Sequence, residues 1–241
     1  MLASELIKLM EQKVPLKLAL KDDRVGFIGP GRPEEIEVEK AAIFLDIIPG
    51  NYLNELEADL IVCHHPPLFF PPIPTYIIHS NWDIVQGGAN DALAESLKIE
   101  VTDIFEDETG IGRICKLECT IEEFIEQVAM ALDMDHLRIV KGNQRIIEKV
   151  AIISGFGLNK HYIKLASEKD VDLLLSGDLT HPGSILAHKL GITLIDATHQ
   201  ATELPGLIKL CQLISELGVK ADLNNMGMPW ATVLLKNYSI S

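Results

Sequence analysis

Apolar residues follow two alternating patterns along this chain. Short, nearly continuous apolar runs are typical of buried strands; they occupy residues 41–45, 59–63, 150–154, 171–175, 192–195 and 232–235. Apolar residues three or four positions apart are typical of amphipathic helices; they occur over residues 2–11, 51–57, 89–97, 121–132, 160–169, 183–190 and 205–217. The alternation of strands and helices predicts an α/β fold.

Two local signals define element boundaries more closely. Residues 66–74 contain five of the chain's twelve prolines. Proline is excluded from helix interiors and central strands, so this segment is predicted to be a stiff loop. Thr120 and Glu123 form a capping box, in which two side chains satisfy free backbone N–H groups at a helix start. This pair predicts a helix that begins at residue 121.

Two stretches of the chain resemble each other. Each runs from a lysine-led strand through a helix to a second strand, which ends in a polar cluster and a proline: Lys40-Ala-Ala-Ile-Phe with Asp59-Leu-Ile-Val-Cys-His-His-Pro, and Lys149-Val-Ala-Ile-Ile with Asp172-Leu-Leu-Leu-Ser-Gly-Asp-Leu-Thr-His-Pro. The likeness predicts two related α/β lobes with a shared cleft. Residues 1–98 with 190–241 would form lobe 1, and residues 99–189 lobe 2. An accidental repeat of the common strand–helix–strand pattern is the alternative. Ligands in such folds bind beyond the carboxyl ends of strands, where both polar clusters lie.

Charge and apolar content narrow the function classes. The chain carries 21 basic and 35 acidic side chains and a formal net charge of −14, which is unfavourable for a general nucleic-acid binder. No run approaches the roughly 18 uninterrupted apolar residues of a membrane span, and residues 1–13 lack the apolar core of a signal peptide.

The cysteines include no Cys-x-x-Cys pair, which favours a reducing compartment. Cys115 and Cys119 would need a second Cys/His pair to complete a metal site. We expect a cytoplasmic protein.

Adjacent histidines, His64 and His65, follow the strand predicted at residues 59–63. In a continuing strand their side chains would point to opposite faces, but a turn that begins at Pro66 would let both converge on one site. Imidazole is a common ligand of transition metals. The alternative is two partly buried histidines that are simply hydrogen-bonded.

Two further segments carry groups of similar chemistry. His199 and Glu203 are four positions apart, so on a helix they share one face and can meet a single metal ion. An ordinary polar pair on a helix face is the alternative. Asp83 precedes a Gly-Gly bend, where a turn or capping role is the alternative to metal binding.

A fourth segment, Ser176-Gly-Asp-Leu-Thr-His-Pro, ends the strand predicted at residues 171–175. Its carboxylate, Asp178, and its imidazole, His181, are three positions apart. Three roles stay open for them: support of a metal ligand, acid/base catalysis, and helix capping.

Together the first three segments offer three imidazoles and two carboxylates. These belong to His64, His65, Asp83, His199 and Glu203. The donor set suits zinc, iron, manganese, nickel or cobalt, whereas calcium favours more oxygen ligands. Five ligands exceed one tetrahedral site and suit two ions that share a carboxylate; such a pair lowers the pKa of coordinated water and polarises carbonyl or phosphoryl oxygens. Spacing alone does not connect the three segments.

The three segments resemble, in the same order, motifs of the GTP cyclohydrolase 1 type 2 homolog family, also called NIF-three-like proteins. The similar stretches are Asp59-Leu-Ile-Val-Cys-His-His-Pro, His79-Ser-Asn-Trp-Asp and His199-Gln-Ala-Thr-Glu. The resemblance covers nearly the whole chain and is to the short form, which lacks the domain inserted in longer members. It implies two α/β lobes with mixed sheets and, in the cleft between them, a dinuclear metal site bound by the five residues above.

The resemblance also implies a partner and an activity. Members form ring- or cage-like hexamers, so we expect a homohexamer. The family name implies hydrolysis of a small, nucleotide-like substrate, with His79 or His181 as acid/base partner. The chain departs from the family at Cys63, Trp82 and Asp178, which leaves the substrate more open than the metal. The sequence also has no phosphate-cradling glycine-rich loop.

Three hypotheses follow. A metal-dependent hydrolase predicts open coordination positions. A metal-binding scaffold, or a cage for nucleic acid or another partner, predicts closed coordination and, for nucleic acid, a strongly salt-dependent affinity. A relic with a structural metal predicts that metal removal unfolds the protein.

Overall fold

The structure is a computed structural model that describes residues 1–230. Its strands are β1 (Gly26–Ile28), β2 (Lys40–Phe44), β3 (Leu60–Cys63), β4 (Thr75–Ile77), β5 (Glu100–Ile104), β6 (Arg113–Thr120), β7 (Arg138–Val140), β8 (Ile146–Ile152), β9 (Leu173–Ser176), β10 (Thr193–Asp196) and β11 (Lys220–Asn224). Its α-helices are α1 (Ala3–Lys13), α2 (Ser80–Ile84), α3 (Ala89–Ser96), α4 (Ile121–Ala131), α5 (Lys160–Glu168), α6 (His181–Leu190) and α7 (His199–Glu216). Short 3-10 helices cover Leu16–Leu18 and Asn51–Asn54. The strand expected at residues 232–235 lies outside the described residues.

The strands form two mixed sheets, which confirms the predicted α/β fold. The first has the order β1-β4-β3-β2-β11, in which only the pair β1–β4 is antiparallel. The second has the order β5-β6-β8-β9-β10-β7, in which β8, β9 and β10 are parallel and the other pairs antiparallel. The central parallel strands β3, β9 and β10 are buried along their whole length, as their continuous apolar sequences require.

Helices cover the faces of the sheets through their apolar sides. α1 and α7 pack on the first sheet, where Leu6 and Met10 meet Leu210 and Ile214. α4 packs on one face of the second sheet through Phe124, and α5 and α6 cover the other face. The capping box predicted at the start of α4 is present.

The two similar sequence stretches share their local geometry. The Asp59 carboxylate accepts the backbone N–H groups of Lys40 and of the residue before it, both at 3.0 Å. Asp172 accepts those of Lys149 and of the residue before it, also at 3.0 Å. In both cases the parallel strand pair has the same register relative to the aspartate. Each sheet therefore contains a parallel strand pair of the same register, with an aspartate bonded across its start.

Two predicted helix boundaries are wrong. The helix expected at residues 51–57 is only the 3-10 turn Asn51–Asn54, because the few residues left before β3 are too short to nucleate an α-helix. α7 was expected to begin at Pro205, but it begins six residues earlier, at His199. Thr198 caps it, since its hydroxyl accepts the N–H of Ala201 at 3.3 Å.

The predicted lobes differ from the sheets at one boundary. Residues 190–241 were assigned to lobe 1; of the strands described in that range, β10 lies in the second sheet and β11 in the first. The lobe boundaries otherwise stay a prediction. Cys115 and Cys119 belong to no cluster of metal-binding side chains within residues 1–230. In the same range, no helix is long and apolar enough to span a membrane.

Candidate metal centre

Five side chains singled out in the sequence come together beyond the carboxyl end of β3. His65, His199 and Glu203 form one group whose ligand atoms all lie within 4.8 Å of one another. His64, Asp83 and Glu203 form a second group by the same measure. Glu203 belongs to both of these groups. We call these five residues the cluster.

The end of β3 directs the first two histidines. The backbone N–H groups of His64 and His65 donate to the carbonyls of Phe44 and Leu45, both at 2.9 Å. The end of β2 and the residue after it therefore hold both histidines just beyond β3, and Pro66, which has no N–H, cannot continue these bonds. The two rings emerge together where the strands end, with centroids 5.0 Å apart.

An oxygen behind each histidine of the cluster fixes its ring. The Nδ1 atoms donate as follows: His64 to the Ile78 carbonyl at 2.9 Å, His65 to Asp46 at 2.9 Å and His199 to Asp178 at 2.8 Å. Such partners set the orientation and tautomer of metal-binding imidazoles. Here they leave each Nε2 facing the carboxylates of the cluster. Asp178 therefore supports His199, which is one of the roles that the sequence left open.

The first two turns of α7 supply His199 and Glu203. Because they are four positions apart in a helix, the side chains lie on one face, with His199 Nε2 3.1 Å from Glu203 Oε2. His65 Nε2 lies 3.3 Å from the same oxygen. One carboxylate oxygen thus faces two imidazoles from different elements.

Asn90 of α3 and Arg113 of β6 hold the segment around Asp83, which lies in the five-residue helix α2. Asn90 Nδ2 donates to the Asp83 carbonyl at 2.8 Å, and Asn90 Oδ1 accepts the N–H of Ser154 at 2.8 Å. Arg113 donates to the Ile84 carbonyl at 3.1 Å. Neither Asn90 nor Arg113 was predicted from the sequence, because Ser154 lies 64 positions from Asn90 and Ile84 lies 29 positions from Arg113.

Three buried atoms at the centre of the cluster accept or donate no hydrogen bond within residues 1–230. They are His64 Nε2, Asp83 Oδ1 and Glu203 Oε2. His64 Nε2 lies 3.5 Å from an oxygen of each of the two carboxylates. Buried polar atoms without partners cost about 1–3 kcal/mol each, and cations held among these nitrogen and carboxylate atoms would offset that cost. The nitrogen and carboxylate donors therefore fit a divalent transition-metal centre.

In the protein alone, protons balance the charges of the cluster. Burial disfavours the charged form of His65, but Asp46 and Glu203 outweigh it and raise the pKa of His65 to about 10. Burial acts the same way on His199, whose carboxylate neighbours raise its pKa to about 9. Burial raises the pKa of Asp83 to about 6. Burial also opposes the ionisation of Glu203, yet the surrounding imidazoles hold its pKa well below the usual range.

The structure places the two acid/base candidates differently. His79 Nδ1 donates to Asp23 Oδ1 at 2.8 Å, and its ring centroid lies 5.2 Å and 5.4 Å from those of His64 and His65. His181 is exposed at the first residue of α6. Its ring forms no hydrogen bond with the cluster in the described part of the chain. Asp23 was missed in the sequence because 56 positions separate it from His79.

Two cavities open beside the cluster. The larger has a volume of about 460 Å³ and is lined by His65 and His199 among others. The smaller has a volume of about 90 Å³ and lies against Asp83, with Phe156 and Tyr162 contributed by the second lobe. A small molecule can therefore approach two of the imidazoles from the larger cavity.

The chain is similar to known proteins in both sequence and fold. The family model Duf34/NIF3 (NGG1p interacting factor 3) matches residues 71–229. A GTP cyclohydrolase 1 type 2 homolog of Methanothermobacter thermautotrophicus is 43% identical in an alignment that covers 94% of this chain and 94% of the relative. A protein of the same name from Methanocaldococcus jannaschii is 33% identical, covering 89% of this chain and 95% of the relative.

Solved structures show the same fold. Reduced HcgD from Methanocaldococcus jannaschii superposes with a TM-score of 0.81 at 32% identity, covering 92% of this chain and 97% of that chain. A Bacillus cereus protein related to NIF3 superposes with a TM-score of 0.84 at 20% identity, covering 97% and 99%; at that identity the likeness concerns the fold alone. The family-model match and the sequence identity with these relatives show that this chain belongs to the DUF34/NIF3 family, as its three motifs indicated.

Proposed function

We propose that this protein is a divalent-metal-dependent hydrolase that acts on a small molecule related to nucleosides or nucleotides. One observation carries the proposal: Glu203 is shared by two groups of ligand atoms beside a cavity of about 460 Å³. His65 and His199 would hold one ion with Glu203, and His64 and Asp83 would hold the other. Two such ions would lower the pKa of coordinated water and polarise a carbonyl or phosphoryl oxygen.

The residues around the cluster have supporting roles in this proposal. Asp46 and Asp178 keep the Nε2 atoms of His65 and His199 directed inward. His79 has Nδ1 committed to Asp23, so its Nε2 is the atom that would take or return a proton during hydrolysis. Burial of the carboxylates limits the access of bulk water.

The names of relatives support hydrolysis in general terms. Several are GTP cyclohydrolase 1 type 2 homologs, and a cyclohydrolase opens a ring by adding water. The family resemblance likewise supports a homohexamer in the cytoplasm as part of the proposal. The rival hypothesis, a metal-binding scaffold without turnover, uses the same ligands and differs in the outcome of an assay.

The assay uses protein stripped with a chelator and reloaded separately with zinc, manganese, ferrous iron, nickel or cobalt. Each form is incubated with purine and pyrimidine nucleosides and nucleotides, and mass spectrometry detects the addition of water. We expect turnover with at least one metal, and its loss in Glu203→Gln. The matched control is Glu95→Gln, which removes the same charge from an exposed carboxylate. Protein that holds its metal but hydrolyses no compound of the panel would favour the scaffold.

A further inference from the structure

The larger cavity lies where strands of both sheets end. The loops after β2, β3 and β9 contribute Asp46, Phe69 and Asp178, and the segment after β11 contributes Met228 and Trp230. Ligands of α/β folds bind at such positions. Its volume of about 460 Å³ is within the range of small-molecule sites, about 300–1,000 Å³.

The walls of this cavity are apolar and partly aromatic. Besides Phe69, Met228 and Trp230, they include Ile48 and Pro49. Trp230 is 63% exposed, so most of its indole is available to a ligand. An aromatic wall of this kind favours a flat ring, which stacks on it whatever substituents the ring carries.

The charges of the cavity are unfavourable for a phosphate. Among the described residues that line it, none is a lysine or an arginine, and Asp46 and Asp178 supply two carboxylates. Divalent ions in the cluster would not reverse this balance, because Asp83 and Glu203 add two more negative charges. Four carboxylates then offset the charge of two divalent ions, which leaves no excess positive charge for an anion.

Both aspartates have acceptor capacity to spare. Asp46 accepts from His65 through Oδ1 only, and Asp178 accepts from His199 through Oδ2 only. Within residues 1–230, the second oxygen of each accepts no hydrogen bond. These oxygens can accept N–H groups from a heterocycle, and carboxylates cannot donate to a phosphate once ionised.

We propose that the cavity binds an uncharged, flat heteroaromatic molecule of the size of a nucleobase or nucleoside, and that it discriminates against phosphorylated forms. This inference rests on the proposed function and narrows its substrate class. Phe69, Met228 and Trp230 would bury the ring, and Asp46 and Asp178 would accept its N–H groups. A phosphate would meet two carboxylates and, among the described residues of the wall, no lysine or arginine.

Calorimetry on metal-loaded protein tests the inference. The probes are adenosine, guanosine, cytidine and uridine, each compared with its 5′-monophosphate, with metal content measured after every titration. At least one nucleoside should bind, and its monophosphate should bind at least about tenfold more weakly, because like charges oppose association. Gln200→Lys, which adds a cation to the wall, should narrow that difference.

Trp230→Ala should weaken nucleoside binding about tenfold and leave the metal content unchanged. The control, Phe70→Ala, removes an aromatic ring that is 73% exposed and lines neither cavity beside the cluster, and it should leave nucleoside affinity unchanged. Any one of three results would overturn the inference. The protein binds no nucleoside, it binds a monophosphate more tightly than the nucleoside, or Trp230→Ala binds nucleosides as tightly as the wild type.

The two proposals can fail separately. If metal-loaded protein binds nucleosides as expected but hydrolyses none of them, the proposed hydrolase function is contradicted and the inference about the cavity stands. Protein that hydrolyses a nucleotide and prefers its phosphorylated form would contradict the inference alone.

Discussion

Gly155 approaches Glu203 so closely that a Cβ atom at position 155 would overlap Oε1 of the carboxylate and lie 3.2 Å from Nε2 of His199. The glycine belongs to the loop after β8, in the second sheet. Its N–H donates to the Thr202 hydroxyl at 3.0 Å, and its carbonyl accepts the N–H of Gly177 at 2.7 Å. The loop after β8 thus places bare backbone directly against Glu203, which belongs to both groups of candidate ligands.

Replacing Gly155 with alanine should displace Glu203 and sharply reduce metal content. The added Cβ has no free space, and the positive φ of 81° costs a further ~1–3 kcal/mol of folding free energy in a non-glycine residue. The measurements are metal content by elemental analysis and unfolding in urea. Gly87→Ala is the matched control, because Gly87 has a φ of 79° and a Cβ atom added there would meet no other atom within 4 Å. It should lose stability but keep its metal; equal metal loss in both variants would contradict the explanation.

Asn90→Ala should destabilise the protein and weaken the metal site. It leaves the Asp83 carbonyl and the Ser154 N–H without their partner, and each buried group left unpaired costs about 1–3 kcal/mol. Chemical denaturation of the metal-free protein measures the first effect, and metal titration of folded protein the second. The control, Asn54→Ala, alters an exposed residue and should change neither. Unchanged metal affinity in folded Asn90→Ala would show that the two lobes do not position Asp83 through this side chain.

Metal binding should release protons at pH 7.5. With pKa values of about 10 and about 9, His65 and His199 are protonated there in the metal-free protein, and a metal ion binds only the deprotonated imidazole. About two protons should leave per chain, and the apparent affinity should fall as the pH is lowered from 9 toward 6. Calorimetry in two buffers of different ionisation enthalpy counts the protons. Binding with no proton release would mean that the two imidazoles are not the ligands.

The sequence connected the five residues of the cluster only through the resemblance of its three motifs to a known family, since spacing alone did not connect them; their role as metal ligands stays a prediction. It did not predict Asp23, Asn90 or Gly155, whose roles depend on contacts between segments far apart in the chain. Asn90 lies in an ordinary helix, and Gly155 lies in a turn where glycine is unremarkable.

Missed elements have equally physical causes. The residues of β5 are all exposed and mostly polar, so this strand has no apolar pattern. The start of α7 was placed late because Pro205 usually begins a helix. Here Pro205 lies inside α7, where it lacks the N–H that would bond the Ala201 carbonyl. Thr198 begins the helix earlier, and so places His199 and Glu203 on one helical face.

Metal stoichiometry is the most direct test of the account. Wild-type protein, reconstituted and desalted, should hold about two transition-metal ions per chain. Asp83→Ala removes a ligand from one group only and should retain about one ion. Glu203→Gln alters the shared ligand and should lose both ions. The melting temperature of each variant should show that it is folded. A reconstituted wild type that holds no transition metal, or a Glu203→Gln variant that keeps two ions, would contradict the dinuclear centre.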